Sequence, residues 1–457
     1  MSWRRGFVIV YGVLIATVSA WRVALLIPRE MDLGVLINGL AAFAESGPSG
    51  VIPYLGFGIW GGHMEVATLA FVPLIDWPVL PYLLVTAQAA SVAWAVLQIA
   101  ERTQRHAADS LLAVIVPVAV AFHPAVLYAL FFDVHANVMS LGFLTAFVIA
   151  VQEKRWRRAV VFGLIAALFR EDIAVVVALI TILRWSRIPS PERLALTTVP
   201  LGLIISYLSQ GGNDFGRNNL FGYLDPSEPA RSVATALELF FENGWIVAVV
   251  VIVATPLALL GNLDWRVLVP ALMVSFPIAF GAVAGGRTVA YHYYAIVVVS
   301  WALALRFEQP PKRVVGQAAI AITAVWIVLG PLGTSAFSAE PVMNTVPQIV
   351  ASAQTNGSGR YGELRAALDC VADVGPITVS PEVTPHTAGR TDLYLYPQPF
   401  AEISVQREGG GWIYPTADLG PPVAIVALTP IQISGYQADL HAEYVYWLSY
   451  SGHACGR

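Results

Sequence analysis

The chain has 457 residues, of which 57% are hydrophobic and 12% charged, with a net charge of −4 and a mean hydropathy of +0.66. So little charge excludes an ordinary water-soluble globular fold and points to a polytopic membrane protein. No basic stripe of the kind that binds nucleic acid is present.

A membrane-crossing helix needs about 20 mainly apolar residues, and about eleven stretches are candidates. In chain order they are 7–27, 79–100, 109–131, 137–151, 158–170, 172–185, 195–209, 244–262, 266–285, 289–306 and 314–334. The stretches 137–151, 158–170 and 172–185 are shorter than a full span, so they read as half-helices or as segments that lean on neighbours at membrane depth. The first stretch follows Arg4-Arg5 and runs on without a small-residue cleavage site, the pattern of a retained signal anchor with no amino-terminal domain before it. An odd number of crossings puts the two termini on opposite sides.

Arginine and lysine cluster at alternate turns: Arg4-Arg5, the segment from Arg102 to His106, Lys154 to Arg158, Arg184 with Arg187 and Arg193, Arg266, and Arg306 with Lys312-Arg313. By the positive-inside rule those turns, and the amino terminus, are cytoplasmic. The turns between them are then the outer ones. The first of these, residues 28–78, is long for a loop and carries Arg29-Glu30-Met31-Asp32-Leu33-Gly34 and Gly61-Gly62-His63-Met64-Glu65. Its apolar piece 66–75 is too short to cross and is expected as an interfacial or re-entrant helix.

From about 338 onward the composition shifts to Pro, Gly, Thr and Asp, with short apolar runs such as 377–379 and 423–426 that read as strands. The chain therefore divides into a transmembrane part, 1–337, and an exoplasmic soluble part, 338–457, of small α/β or mostly β character. At about 120 residues that part can hold a modest core of its own. The chain's two cysteines, Cys370 and Cys455, both fall in it, and a disulfide between them would close most of its length.

Ionisable groups at membrane depth are costly, so each asks for a function or a partner. On the outer side stand His63, His123 in Phe122-His123-Pro124, Asp133 and His135 in Phe132-Asp133-Val134-His135, Arg170-Glu171-Asp172, and His292 in Tyr291-His292-Tyr293-Tyr294. Each has a plain structural alternative. The 170–172 triplet could be a local ion pair closing a tight hairpin. His123 could cap a kink made by Pro124. Asp133 and His135 could bind metal, orient a base or cap the next helix. Tyr293 and its neighbours read as interfacial aromatics, and Asp32 as the cap of a helix starting at Leu33. That at least four separate outer turns supply such groups argues for one outward-facing polar cavity.

The order Asp-Leu-Gly, Gly-x-His, Phe-His-Pro, Phe-Asp-x-His, Arg-Glu-Asp between two apolar runs and a late Tyr-His-Tyr resembles an uncharacterised family of bacterial polytopic membrane proteins grouped with the GT-C glycosyltransferases. The resemblance covers roughly residues 30–300. It implies a multi-pass helix bundle in the bacterial cytoplasmic membrane and transfer of a sugar from a polyprenyl-phosphate donor to a lipid or glycan acceptor of the cell envelope at the outer face. By matching position, Asp32 would be the general base, with Glu30 the nearby substitute. The paired acids that some relatives carry in the first outer loop are missing here, which leaves dependence on a divalent ion such as Mg or Mn undecided.

Chemistry read from the residues agrees with this. A carboxylate takes the proton of the acceptor hydroxyl as it attacks the anomeric carbon, while cations stabilise the departing phosphate. Asp32 suits the first task, and Arg170, Arg287 and His292 suit the second. Glu171 and Asp172 would orient the arginine or bind a divalent ion, and His63, Asp133 and His135 would line the acceptor side or complete a metal site. The competing classes are a secondary transporter, which needs a polar route to the inner side and usually shows two similar halves, and a non-catalytic envelope-assembly subunit, which needs no ionisable cluster in the membrane. No internal repeat is visible.

Overall fold

The computed structural model describes residues 3–24, 32–52, 58–59, 63–107, 112–210, 262–284, 291–306 and 359–371, with short segments between 377 and 450. The described chain is mainly helical. Its helices are α1 (Trp3–Ala24), α2 (Asp32–Ser46), α3 (Leu80–Ala107), α4 (Leu112–Ala121), α5 (Pro124–Phe132), α6 (Ala136–Met139), α7 (Leu141–Gln152) and α8 (Trp156–Ala167). They continue as α9 (Glu171–Leu183), α10 (Ser190–Gln210), α11 (Trp265–Ala284), α12 (Tyr291–Ala304) and α13 (Gly359–Cys370). The piece 66–75, expected as an interfacial or re-entrant helix, forms a 3₁₀ helix over Val66–Leu74.

Among the described residues two helices are long and apolar enough to cross a membrane, α1 over Arg4–Ala24 and α3, and α4 with α5 makes a third when counted as one span bent by 43°. The bend has a local cause. Pro124 offers no N–H and forces the residue before it out of the helical region, so His123 takes an extended conformation (φ −60°, ψ 131°). Several shorter apolar helices stand beside them among the described residues, including Leu141–Gln152 and Ala295–Ala304. The expected spans 244–262 and 314–334 lie outside the described residues.

Breaking helices in an apolar setting frees backbone groups that must find partners. A polar stripe on α3, with side chains every three to seven residues on one face, supplies them. Gln88 serves the α5–α6 break, as described below. Ser91 donates to the Met139 carbonyl (2.6 Å) and accepts from Gly142 N–H (2.9 Å), and Gln98 donates to the Gly142 carbonyl (3.0 Å). Arg102, buried, donates to the Leu305 carbonyl (2.9 Å) just past α12. Gly142 is required here, because a Cβ would come within 2.5 Å of the Trp94 ring and 2.9 Å of the Ser91 carbonyl.

Packing divides the chain into two compact units: Met1–Thr17, His63–Ala67 and Thr86–Val346 form one, and Val18–Gly62, Thr68–Val85 and Pro347–Arg457 the other. The first unit has an apolar core in which Ile99, Val116, Phe147, Ile173 and Ile296 are fully or almost fully buried. A two-residue ladder pairs β1 (Asn262–Leu263) with β2 (Leu305–Arg306).

The second unit contains β3 (Ile377–Val379), β4 (Leu393–Leu395), a small ladder of β5 (Ser404–Val405) with β6 (Trp412–Ile413), β7 (Ala424–Ala427), β8 (Tyr436–His441) and β9 (Tyr446–Tyr450). Five of them make one mixed sheet in the order β4-β3-β7-β9-β8, parallel from β4 to β7 and antiparallel from β7 to β8. The runs read as strand-like, 377–379 and 423–426, are β3 and β7. Cys370, at the end of α13, is disulfide-bonded, and Cys455 lies outside the described residues.

In the same unit α2 packs on the 3₁₀ helix Pro381–His386. The Asn38 side chain donates to the Gly34 carbonyl (2.8 Å) and to the Thr384 carbonyl (3.4 Å), and the Thr387 hydroxyl donates to the same Thr384 carbonyl (2.8 Å). Gly34 of the Asp-Leu-Gly motif lies so close that an added Cβ would meet the Thr384 hydroxyl at 1.9 Å. Burial pushes the neighbouring His386 imidazole down to about 4, against a hydrogen bond to the Val23 backbone that pulls it up.

Candidate functional site

The Arg170-Glu171-Asp172 triplet stands where α8 ends and α9 begins. Arg170 is the residue before the helix, extended at φ −168° and ψ 151°, and Glu171 and Asp172 fill the first turn, where carboxylates are favoured by the helix dipole. All three are buried. A strap, residues 63–67, lies on this junction: Ala67 N–H donates to the Leu168 carbonyl (2.8 Å), and Met64 N–H donates to Glu171 Oε2 (2.9 Å).

His63, on that strap, joins the charges. Its Nδ1 is 2.7 Å from Glu171 Oε1, and its Nε2 is 2.8 Å from Arg170 Nη2. Arg170 Nε lies 3.8 Å from Glu171 and 3.7 Å from Asp172, distances of charge attraction rather than hydrogen bonding. Asp172 Oδ1 accepts from Ile173 N–H (2.7 Å), while its Oδ2 has no hydrogen-bond partner among the described residues. His63 is the member that reaches the surface, with its side chain 25% exposed against 5% for Arg170.

Asp133 and His135 are held in a separate network. Asp133 ends α5 and His135 precedes α6, both extended. Gln88 clamps the loop between them: its amide donates to the Ala129 (3.1 Å) and Asp133 (2.9 Å) carbonyls and accepts from His135 N–H (2.7 Å). Asp133 Oδ1 accepts from Val134 N–H (2.7 Å). His123 takes the capping role, since its Nδ1 accepts from Ala125 N–H (3.1 Å) at the start of α5.

The structure therefore brings together His63, Arg170, Glu171 and Asp172. Asp32 opens α2, half-buried, in the other compact unit. His292 and Tyr293 sit in the first turn of α12. Glu30 and Arg287 lie outside the described residues. Gln88 and the buried Asn137, whose side-chain amide has no hydrogen-bond partner among the described residues, escaped sequence reading. A lone Gln or Asn in an apolar run carries no spacing signal, although any such group in a bilayer-depth helix needs a partner.

No group of three His, Cys, Asp or Glu side chains placed to hold a metal ion occurs among the described residues. Glu171 and Asp172 do not fit a divalent ion as they stand, because the Arg170 guanidinium already occupies the cationic position within 4 Å of both. What the cluster offers is a buried guanidinium flanked by two carboxylates and held by an imidazole, the side chain best shaped to take a phosphate or carboxylate.

The chain matches no family model, and no curated protein matches it.

Gln88→Leu is expected to remove all three clamp bonds of the Asp133–His135 loop, lowering stability by roughly 3 kcal/mol. Thermal unfolding of the detergent-purified protein reads this directly. An unshifted melting temperature would show that the loop does not depend on Gln88.

Proposed function

We propose that the chain is a membrane glycosyltransferase of the GT-C type, which moves a sugar from a polyprenyl-phosphate donor to a lipid or glycan acceptor of the bacterial cell envelope at the outer face of the cytoplasmic membrane. In this reading the bundle has about eleven spans, and residues 338–457 form the exoplasmic domain. The observation that carries it is the buried Arg170 guanidinium held between two carboxylates and an imidazole. Transfer from a lipid phosphate requires a fixed cation beside the leaving group, and a buried arginine remains charged where a lysine would tend to lose its proton.

Asp32 takes the proton of the acceptor hydroxyl as its oxygen bonds to the anomeric carbon. The bond from that carbon to the phosphate oxygen breaks, and polyprenyl phosphate leaves with the electron pair. Arg170, joined by Arg287 and His292, neutralises that phosphate. Apolar helices receive the prenyl tail.

The test uses the full chain in lipid nanodiscs with a panel of radiolabelled polyprenyl-phosphate sugars. Asp32→Asn should cut turnover by about 100-fold or more with an unchanged melting temperature. Arg170→Lys should raise the KM for the donor more than that for the acceptor. Full turnover in the Asn variant removes Asp32 from the role of base.

A further inference from the structure

We infer that His63 is a positioning residue for Arg170: its ring accepts one edge of the guanidinium and so sets which edge is turned toward a donor phosphate. The inference rests on the sugar-transfer reading above and adds to it the part that aims the cation.

The direction of each hydrogen bond follows from which atoms carry protons. A guanidinium has donors and no acceptor, so at 2.8 Å Arg170 Nη2 donates and His63 Nε2 must be the lone pair. A neutral imidazole with Nε2 as acceptor carries its proton on Nδ1, and that proton goes to Glu171 Oε1 at 2.7 Å. Glu171 cannot turn away, because its second oxygen accepts from Met64 N–H at 2.9 Å. The result is a one-way chain from Arg170 to His63 to Glu171, closed by the backbone of the strap that carries His63.

Glu171 and Asp172 cannot do this aiming themselves. Their contacts to Arg170 Nε, at 3.8 and 3.7 Å, supply charge but no hydrogen-bond direction. The imidazole provides the direction, and Glu171 provides the tautomer that makes it possible, much as outer-shell carboxylates orient histidines elsewhere. The strap is held at two points, Met64 and Ala67, so the ring is carried by ordered backbone.

The experiment measures binding of a polyprenyl monophosphate, with the corresponding polyprenol as control, to the full-length protein in phosphatidylcholine nanodiscs. His63→Leu should weaken phosphate-dependent binding about tenfold, the worth of one hydrogen bond to a charged group. His63→Gln, which keeps an acceptor at the Nε2 position, should stay within about threefold of the unmutated protein. In an Arg170→Lys background, His63→Leu should add almost nothing, since the residue acts through the guanidinium. Independently of any ligand, nitrogen-15 spectra of histidine-labelled protein should show His63 as the neutral Nδ1–H tautomer.

Four results overturn the inference while leaving sugar transfer standing: unmutated affinity in His63→Leu, a His63→Gln loss as large as that of Leu, a full His63→Leu penalty retained in the Arg170→Lys background, or an Nε2–H tautomer. Equal binding of polyprenol and polyprenyl phosphate to the unmutated protein overturns the sugar-transfer reading and this inference with it.

Discussion

Arg170→Met is expected to destabilise the protein by about 3–5 kcal/mol, the largest loss at any single position described. Removing the guanidinium leaves Glu171 and Asp172 buried side by side, each about 4% exposed or less, without the cation that lies within 4 Å of both. Two buried carboxylates without a counter-charge must take up protons or water, and either costs packing. Neutralising the cluster as a whole should cost far less: Arg170→Met combined with Glu171→Gln and Asp172→Asn removes the charges together, and a set of similar-sized neutral groups is tolerated where a broken ion pair is not. Melting of the purified protein in detergent distinguishes the two. A single variant as stable as the unmutated protein, or a triple variant less stable than the single, would mean that the charges are not coupled in the way their geometry indicates.

The second large effect is steric. Gly34→Ala places a methyl against the Thr384 hydroxyl and within 2.5 Å of its Cβ, and side-chain rotation can move the hydroxyl but not the Cβ. The 3₁₀ helix Pro381–His386 must move off α2, at a cost of roughly 1–3 kcal/mol. Amide exchange should then rise in 381–387 and in the first two turns of α2. Thr384→Gly removes both obstructing atoms, so the pair Gly34→Ala with Thr384→Gly should recover most of the protection. Because Asp32 lies in the first turn of α2, the same variant should lower sugar transfer if Asp32 is the base. Unaltered exchange in Gly34→Ala would show that the contact is looser than its distances imply.

Membrane character was legible from composition alone, and the places where the chain leaves a helix were legible from single residues. Pro124 announces the bend after α4, the charged run 153–158 announces the turn between α7 and α8, where Lys154 takes a positive φ of 58°, and Arg170-Glu171-Asp172 announces the start of α9. The basic turns were less transparent. Arg102 and Arg184 belong to runs read as cytoplasmic turns, and both are buried: Arg102 binds carbonyls at the end of α12, and Arg184 is paired with Asp264. A guanidinium has the same signature in a sequence whether it marks a topology or satisfies a helix end.

Hydropathy and local chemistry, which depend on each residue and its near neighbours, were sufficient for the membrane assignment, for the strand-like runs at β3 and β7, and for the list of polar groups that demand an explanation. Partnership was not. That His63 crosses more than a hundred positions to Glu171, that Gln88 holds the Asp133–His135 loop, and that Gly34 makes room for Thr384 are consequences of which segments pack side by side. Hydrogen bonds and steric fit act over a few ångströms in space, and only the folded arrangement of helices sets which residues come within that range.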